Sequence, residues 1–160
     1  MKTIHEYLID NGYNPAQDET TSHHDEWLSW YQGYVKDFHH YTVYNGIEVV
    51  GKDRYGLGMA KTVCEDWANL LLNEKVKIYT GTDFDKELEK VFEYNNFRVK
   101  GNQLIELAFA LGTAAFVEYL DADGEVVIDF IRAGMIYPLS WDNGYVNECA
   151  FGSMRERDGN

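Results

Sequence analysis

Asp121-Ala122-Asp123-Gly124 is the stretch of this sequence nearest to metal chemistry, because it opens as a calcium loop does. Such a loop needs a third oxygen ligand and, at its twelfth position, a bidentate Glu. Counted from Asp121 the twelfth residue is Arg132, whose charge has the wrong sign. The four residues are therefore expected to form a hairpin turn.

The remaining candidates weaken in similar ways. His23-His24 and His39-His40 fall near opposite ends of one expected helix, so they cannot share an ion. Neighbouring rings on a helix also diverge by about 100°. His39 and His40 suit a helix C-terminus when protonated. Glu65-Asp66 and Asp83/Asp85 are acidic pairs at spacings that do not converge on a helix, so they read as solvated faces. Gly56-Leu57-Gly58 precedes a helix, but the sequence has neither GxxxxGK[ST] nor GxGxxG after a strand. Cys64 and Cys149 have no Cys or His at ligand spacing and read as reduced core thiols. No catalytic, cofactor-binding or metal-ligating residue is predicted, and no enzymatic activity.

Stepping from these residues to the elements that carry them gives an α+β order. Thr3–Asn11 predicts a short helix stopped by Asn11-Gly12, and Tyr13–Thr21 a linker or mobile loop. Ser22 to Asp25 has capping-box spacing. It opens a helix with Trp27, Trp30, Tyr31, Tyr34, Val35 and Phe38 on one stripe, read as core-facing. Tyr41–Tyr44 and Ile47–Val50 flank Asn45-Gly46, a two-residue hairpin signal. From Gly56 to Tyr79 a buried helix is expected to pass into a half-buried strand. Its apolar stripe is Leu57, Ala60, Val63, Cys64, Trp67, Leu70 and Leu71, and Val76–Tyr79 alternates as a strand should.

Thr82, with Asp85 three residues on, is expected to cap a helix carrying Phe84, Leu88, Val91 and Phe92, which weakens at Asn95-Asn96. A helix from about Lys100 to Leu111, apolar nearly all round, should be central and end at Gly112. Thr113–Leu120 pairs with Glu125–Ile131, and Ile136–Trp141 with Tyr145–Arg155 across Asp142-Asn143-Gly144. Pro138 predicts an edge position. Helices first and antiparallel strands last argue α+β, with N-terminal helices packed on hairpins. The expected division is residues 1–21, helix and linker, and 22–160, one α+β domain. The last strand ends in Asp158-Gly159-Asn160 with no return strand. It reads as the N-terminal part of a longer protein.

A net charge of -13 opposes a duplex-binding surface, which requires clustered Lys and Arg. The longest wholly apolar run, Leu107–Leu111, is far shorter than the roughly 20 residues of a membrane span. The N-terminus lacks the pattern of a signal peptide, so a soluble cytosolic protein is expected.

One resemblance adds to this reading. It is carried by Trp30-Tyr31-Gln32-Gly33, by Phe38-His39-His40-Tyr41 running into Asn45-Gly46, and by the run from Leu57-Gly58-Met59-Ala60-Lys61 through Trp67 to Lys75. In that order the sequence resembles the N-terminal region of phage portal proteins, also labelled minor capsid proteins, from phages and prophages of Gram-positive bacteria. The resemblance implies a wing-like α+β region of a cone-shaped ring at one capsid vertex, the conduit for DNA packaging and ejection. It also implies contacts with other portal subunits and with major capsid and scaffold proteins. Terminase and head-completion proteins would be met through parts absent here. No catalytic residues and no cofactor are implied. The location would be the virion, with assembly in the host cytoplasm. The competing expectation is a free-standing binding module whose exposed face of Trp27, Trp30, Tyr31 and Tyr34 stacks on a ligand such as a sugar.

Overall fold

The computed structural model describes residues 3–15 and 19–152. Helix α1, Ile4–Asp10, follows a reciprocal cap: Thr3 Oγ1 accepts the Glu6 N–H at 3.1 Å, and Glu6 Oε2 accepts the Thr3 N–H at 2.8 Å. Helix α2, Glu19–Tyr31, begins inside the predicted linker and ahead of Ser22, so the capping box proposed there is not its start. Ala16-Gln17-Asp18 of that linker lie outside the described residues.

The aromatic stripe expected to run unbroken to Phe38 is split. Gly33 takes φ +86, the Tyr34 N–H bonds back to the Ser29 carbonyl, and the helix ends. A short helix α3, Lys36–His39, then leads into strand β1, His40–Tyr44. Strand β2, Val49–Asp53, pairs with it antiparallel. The predicted hairpin forms, but its loop is Asn45–Glu48 rather than two residues. Asn45 Oδ1 accepts the N–H groups of Ile47 and Glu48 at 3.0 and 2.9 Å, closing a wider Asx-type turn.

Helix α4, Met59–Leu71, leans on α6, Phe97–Leu111, with helix α5, Asp85–Tyr94, between them in sequence. The approach of α4 to α6 is close because Gly101 has no side chain where Leu72 lies. Asn102 Nδ2 donates to the Leu72 carbonyl at 2.9 Å, and Arg98 Nη1 reaches the carbonyls of Asn73, Glu74 and Val76 just past the helix end. The expected strand Val76–Tyr79 is not one: it pairs with no strand among the described residues.

Helix α6 is central, as predicted, with Gly101, Leu104 and Leu111 buried. It begins earlier, at Phe97, because Asn96 takes φ +50 and turns the chain out of α5. Gly112, φ +80, ends it. Strands β3, Ala114–Leu120, and β4, Val126–Arg132, form an antiparallel ribbon on α6 across the predicted Asp121–Gly124 turn. A 3-10 turn, Ala133–Met135, leads to β5, Ile136–Asp142, and β6, Tyr145–Phe151. Their two-residue turn is Asn143-Gly144, φ +48 and +83, the primed geometry that suits hairpins. The register of this pair slips beside Pro138 and Ser140. The predicted continuation to Arg155 and the Asp158-Gly159-Asn160 turn lie outside the described residues.

The fold is α+β, and the described residues place its strands in three separate two-stranded antiparallel sheets. Because β1 and β2 lie between α3 and α4, the strands are not confined to the second half.

Candidate functional site

The groups weighed for chemistry are placed in local structural bonds. Asp121 Oδ1 accepts the N–H groups of Asp123 and Glu125, both at 2.9 Å, and Oδ2 accepts the Tyr94 hydroxyl at 2.9 Å. The backbone bond from Glu125, then the Tyr94 hydroxyl, hold its carboxyl below the ordinary range. Asp85 Oδ1 accepts from Thr80 Oγ1 at 2.7 Å and from the Thr80 N–H at 2.6 Å, which lower its pKa likewise. Glu65 lies 3.6 Å from Lys61 one turn earlier.

The histidines part company. His39 is buried, its Nδ1 2.8 Å from the Val35 nitrogen, ringed by Trp30, Tyr34 and Phe38. His40 instead meets Asp53 across the β1–β2 ribbon at 2.7 Å. Cys64 and Cys149 are both unpaired, the first buried and the second half-buried. Among the described residues, no group of three or more His, Cys, Asp or Glu is placed to hold a metal ion. No described helix is long and apolar enough to cross a membrane.

A different feature lies on the surface. Helices α2, α4 and α6 enclose an open groove of about 430 Å³, lined by Trp27, Trp30, Tyr31, Met59, Val63 and Phe109 among others. Its one hydroxyl is Tyr31 Oη, which donates to Glu106 Oε1. Burial first, and then that bond, raise the Tyr31 pKa. Cys64 lies at the floor, its thiol pushed up by burial and then by Glu106 and Glu65.

The α4 stripe expected to be core is mostly bare. Cys64 and Ala68 are buried, but Leu57 is 86% exposed, Leu70 71% and Trp67 49%, although Trp67 stacks on Phe109 at 5.6 Å. The reason is that α4 has α6 on one side and only a light contact with α2. The period identifies the apolar side of a helix without saying what covers it.

The total area makes the same point. The chain exposes 12584 Å², where a folded monomer of 18.5 kDa should expose roughly 8,200 Å². Allowing every residue outside the described set its full unfolded share, on the order of 170 Å² each, still leaves an excess of roughly 2,000 Å². One side of a standard protein interface is about 800 Å².

An excess of bare surface that includes many large apolar side chains marks a class of protein that presents contact area to other chains. Residues 11–159 match the family of phage portal proteins, SPP1 Gp6-like, and the chain belongs to that family. It is a family of structural proteins. No curated protein and no solved structure matches the chain.

Proposed function

We propose that this chain is a wall segment of a portal ring, the wing-like part of a conduit at the capsid vertex through which DNA is packaged and ejected. The observation that carries the reading is the excess bare surface, to which the α4 stripe and the groove of Trp27, Trp30 and Phe109 contribute. A closed ring gives each copy two different contact patches, one for each neighbour, and the excess is of the size that two such patches need. On this reading residues 22–160 form the wing-like domain and residues 1–21 its N-terminal extension. Major capsid and scaffold proteins would lie outside the ring. Terminase and head-completion proteins would be met through other parts of the full protein. Its place would be the virion, after assembly in the host cytoplasm.

The groove argues against the rival reading of a sugar-binding module. Sugar recognition needs several convergent polar groups, and the Tyr31 hydroxyl is occupied by Glu106. Tyr34 has also left the helix face, past the Gly33 turn.

The test is native mass spectrometry and electron microscopy of the full gene product. A closed ring of many copies is expected. A protein that stays monomeric at every concentration, or one whose tryptophan fluorescence responds saturably to glycans, would overturn the reading.

A further inference from the structure

The β3–β4 ribbon treats its two edges oppositely. The outer edge of β4 is filled by side chains. Asn95 Oδ1 accepts the Ile128 N–H at 2.6 Å, and Asn95 Nδ2 donates to the Val126 carbonyl at 2.8 Å. Lys100 Nζ donates to the Ile128 carbonyl at 2.9 Å, and Asp129 Oδ1 accepts the Phe130 N–H at 2.9 Å.

Because Ile128 bonds outward, the pair it makes with Glu118 is a non-hydrogen-bonded one. The N–H and C=O of Glu118 must then point to the opposite edge, and alternation turns those of Phe116 and Ala114 the same way. They meet no partner among the described residues. Ala114–Leu120 also has no proline, lysine or bulge to blunt that edge.

Elsewhere the chain holds a segment with the alternation of a strand and no sheet to join. Val76–Tyr79 alternates in sequence and lies in no helix, strand or turn, and the backbone groups of Lys77, Ile78 and Tyr79 have no partner among the described residues. It is held at both ends: Arg98 Nη1 donates to the Val76 carbonyl at 2.9 Å, and Asp85 accepts the Thr80 N–H. A segment held at both ends loses less entropy on pairing. The charges also match. Lys75 and Lys77 mark this stretch in a chain of net charge -13, while the only charged residue of β3 is Glu118.

We propose that Val76–Tyr79 of one copy adds to the open β3 edge of a second copy as a third strand, with Lys77 beside Glu118. Backbone bonds would supply affinity and the charge pair register. The two surfaces differ, so the contact is head-to-tail and propagates around a ring. The proposal rests on the ring reading above.

The test compares backbone amide exchange in the assembled gene product and in dissociated subunits. Phe116, Glu118 and Lys77 are expected to gain protection on assembly. Glu118→Pro removes one edge N–H and should block assembly, while Glu118→Ala should retain it. Glu118→Lys and Lys77→Glu should each weaken assembly roughly tenfold, and the double reversal should restore it. A ring whose β3 amides exchange as fast as those of free subunits, or a double reversal that restores nothing, overturns this proposal and leaves the ring reading standing. A gene product that forms no ring overturns both.

Discussion

Asn95 Oδ1 accepts the N–H of Ile128 at 2.6 Å, joining the corner between α5 and α6 to the outer edge of β4. The amide's other end donates to the Val91 and Val126 carbonyls, both at 2.8 Å, so one buried side chain satisfies three backbone groups. Asn95→Ala strands the Ile128 N–H and the Val126 carbonyl in a site from which water is largely excluded, while the Val91 carbonyl keeps the Asn95 N–H. The expected loss of stability is about 2–4 kcal/mol, measured by urea unfolding. A loss within the error of the extrapolation would show that water replaces the amide.

Gly101 should not tolerate a methyl group. An added Cβ would stand 2.5 Å from Leu72 Cδ2, and Leu72 is itself buried. Alanine's intrinsic helix advantage of about 1 kcal/mol is then set against overpacking of about 1–3 kcal/mol. We expect Gly101→Ala to be net destabilising. Combined with Leu72→Ala, it should cost less than the sum of the two single changes, and a double-mutant cycle measures the coupling. Strict additivity would show that the two sites do not touch.

Asp85 and Asp121 fix the sign of the acid response. Both carboxyls are held below the ordinary range, by Thr80 in one case and by Glu125 and Tyr94 in the other. A folded-state pKa below the unfolded one gives stability that is present above the unfolded value, about pH 4. It is lost as pH falls through the lower folded value. Carboxyl chemical shifts followed by NMR should show both titrating below the unfolded-chain aspartate value. Asp85→Asn should lessen the acid sensitivity of the Thr80–Asp85 turn. A midpoint at or above the ordinary value for either residue contradicts the hydrogen-bond geometry.

How far the sequence disclosed all this depended on whether a signal was local. Gly112, Asn143-Gly144 and the Asp121 turn were legible because positive φ and Asx chemistry belong to a few neighbouring residues. The central place of α6 was legible because its apolar character runs nearly all round. Gly33 was not read as a stop, since the aromatic period continues across it. Val76–Tyr79 has the alternation of a strand, but a strand also needs a partner, and it pairs with none among the described residues. The α4 stripe misled for a related reason: seven apolar positions define a face, and only tertiary packing decides which of them are covered. Asn95 marked the end of α5 but not its bond to β4, because its partner Ile128 lies 33 residues away. The bare surface, which carries the functional reading, is a property of packing and could not be read from periodicity.

Burial should make the Cys64 thiol slow. It lies at the floor of the α2–α4–α6 groove, and burial, then Glu106 and Glu65, disfavour its thiolate. The thiolate is the reactive form. Alkylation by iodoacetamide near neutral pH, followed by peptide mass spectrometry, should label Cys64 well below the rate of an unfolded control. Denaturant should abolish the difference. Labelling at the control rate would mean that the groove opens freely to solvent.

The chain should leave duplex DNA alone. Affinity for a duplex comes chiefly from Lys and Arg that neutralise phosphates and release counterions, and here the net charge is -13. Several of the cations are also occupied. Arg54 lies over the rings of Phe38 and Tyr41, 4.9 and 4.4 Å from their centroids, and donates to the Phe38 carbonyl. Arg98 covers the end of α4, Lys100 bonds to the β4 edge, and Lys90 pairs with Glu87 at 2.8 Å. An acidic wall repels phosphate at every register, which is what a passage for sliding DNA requires. We expect no measurable duplex binding by gel shift or fluorescence anisotropy at physiological salt. A submicromolar affinity that falls steeply as salt is raised would place a basic, phosphate-contacting surface on this chain and contradict the prediction.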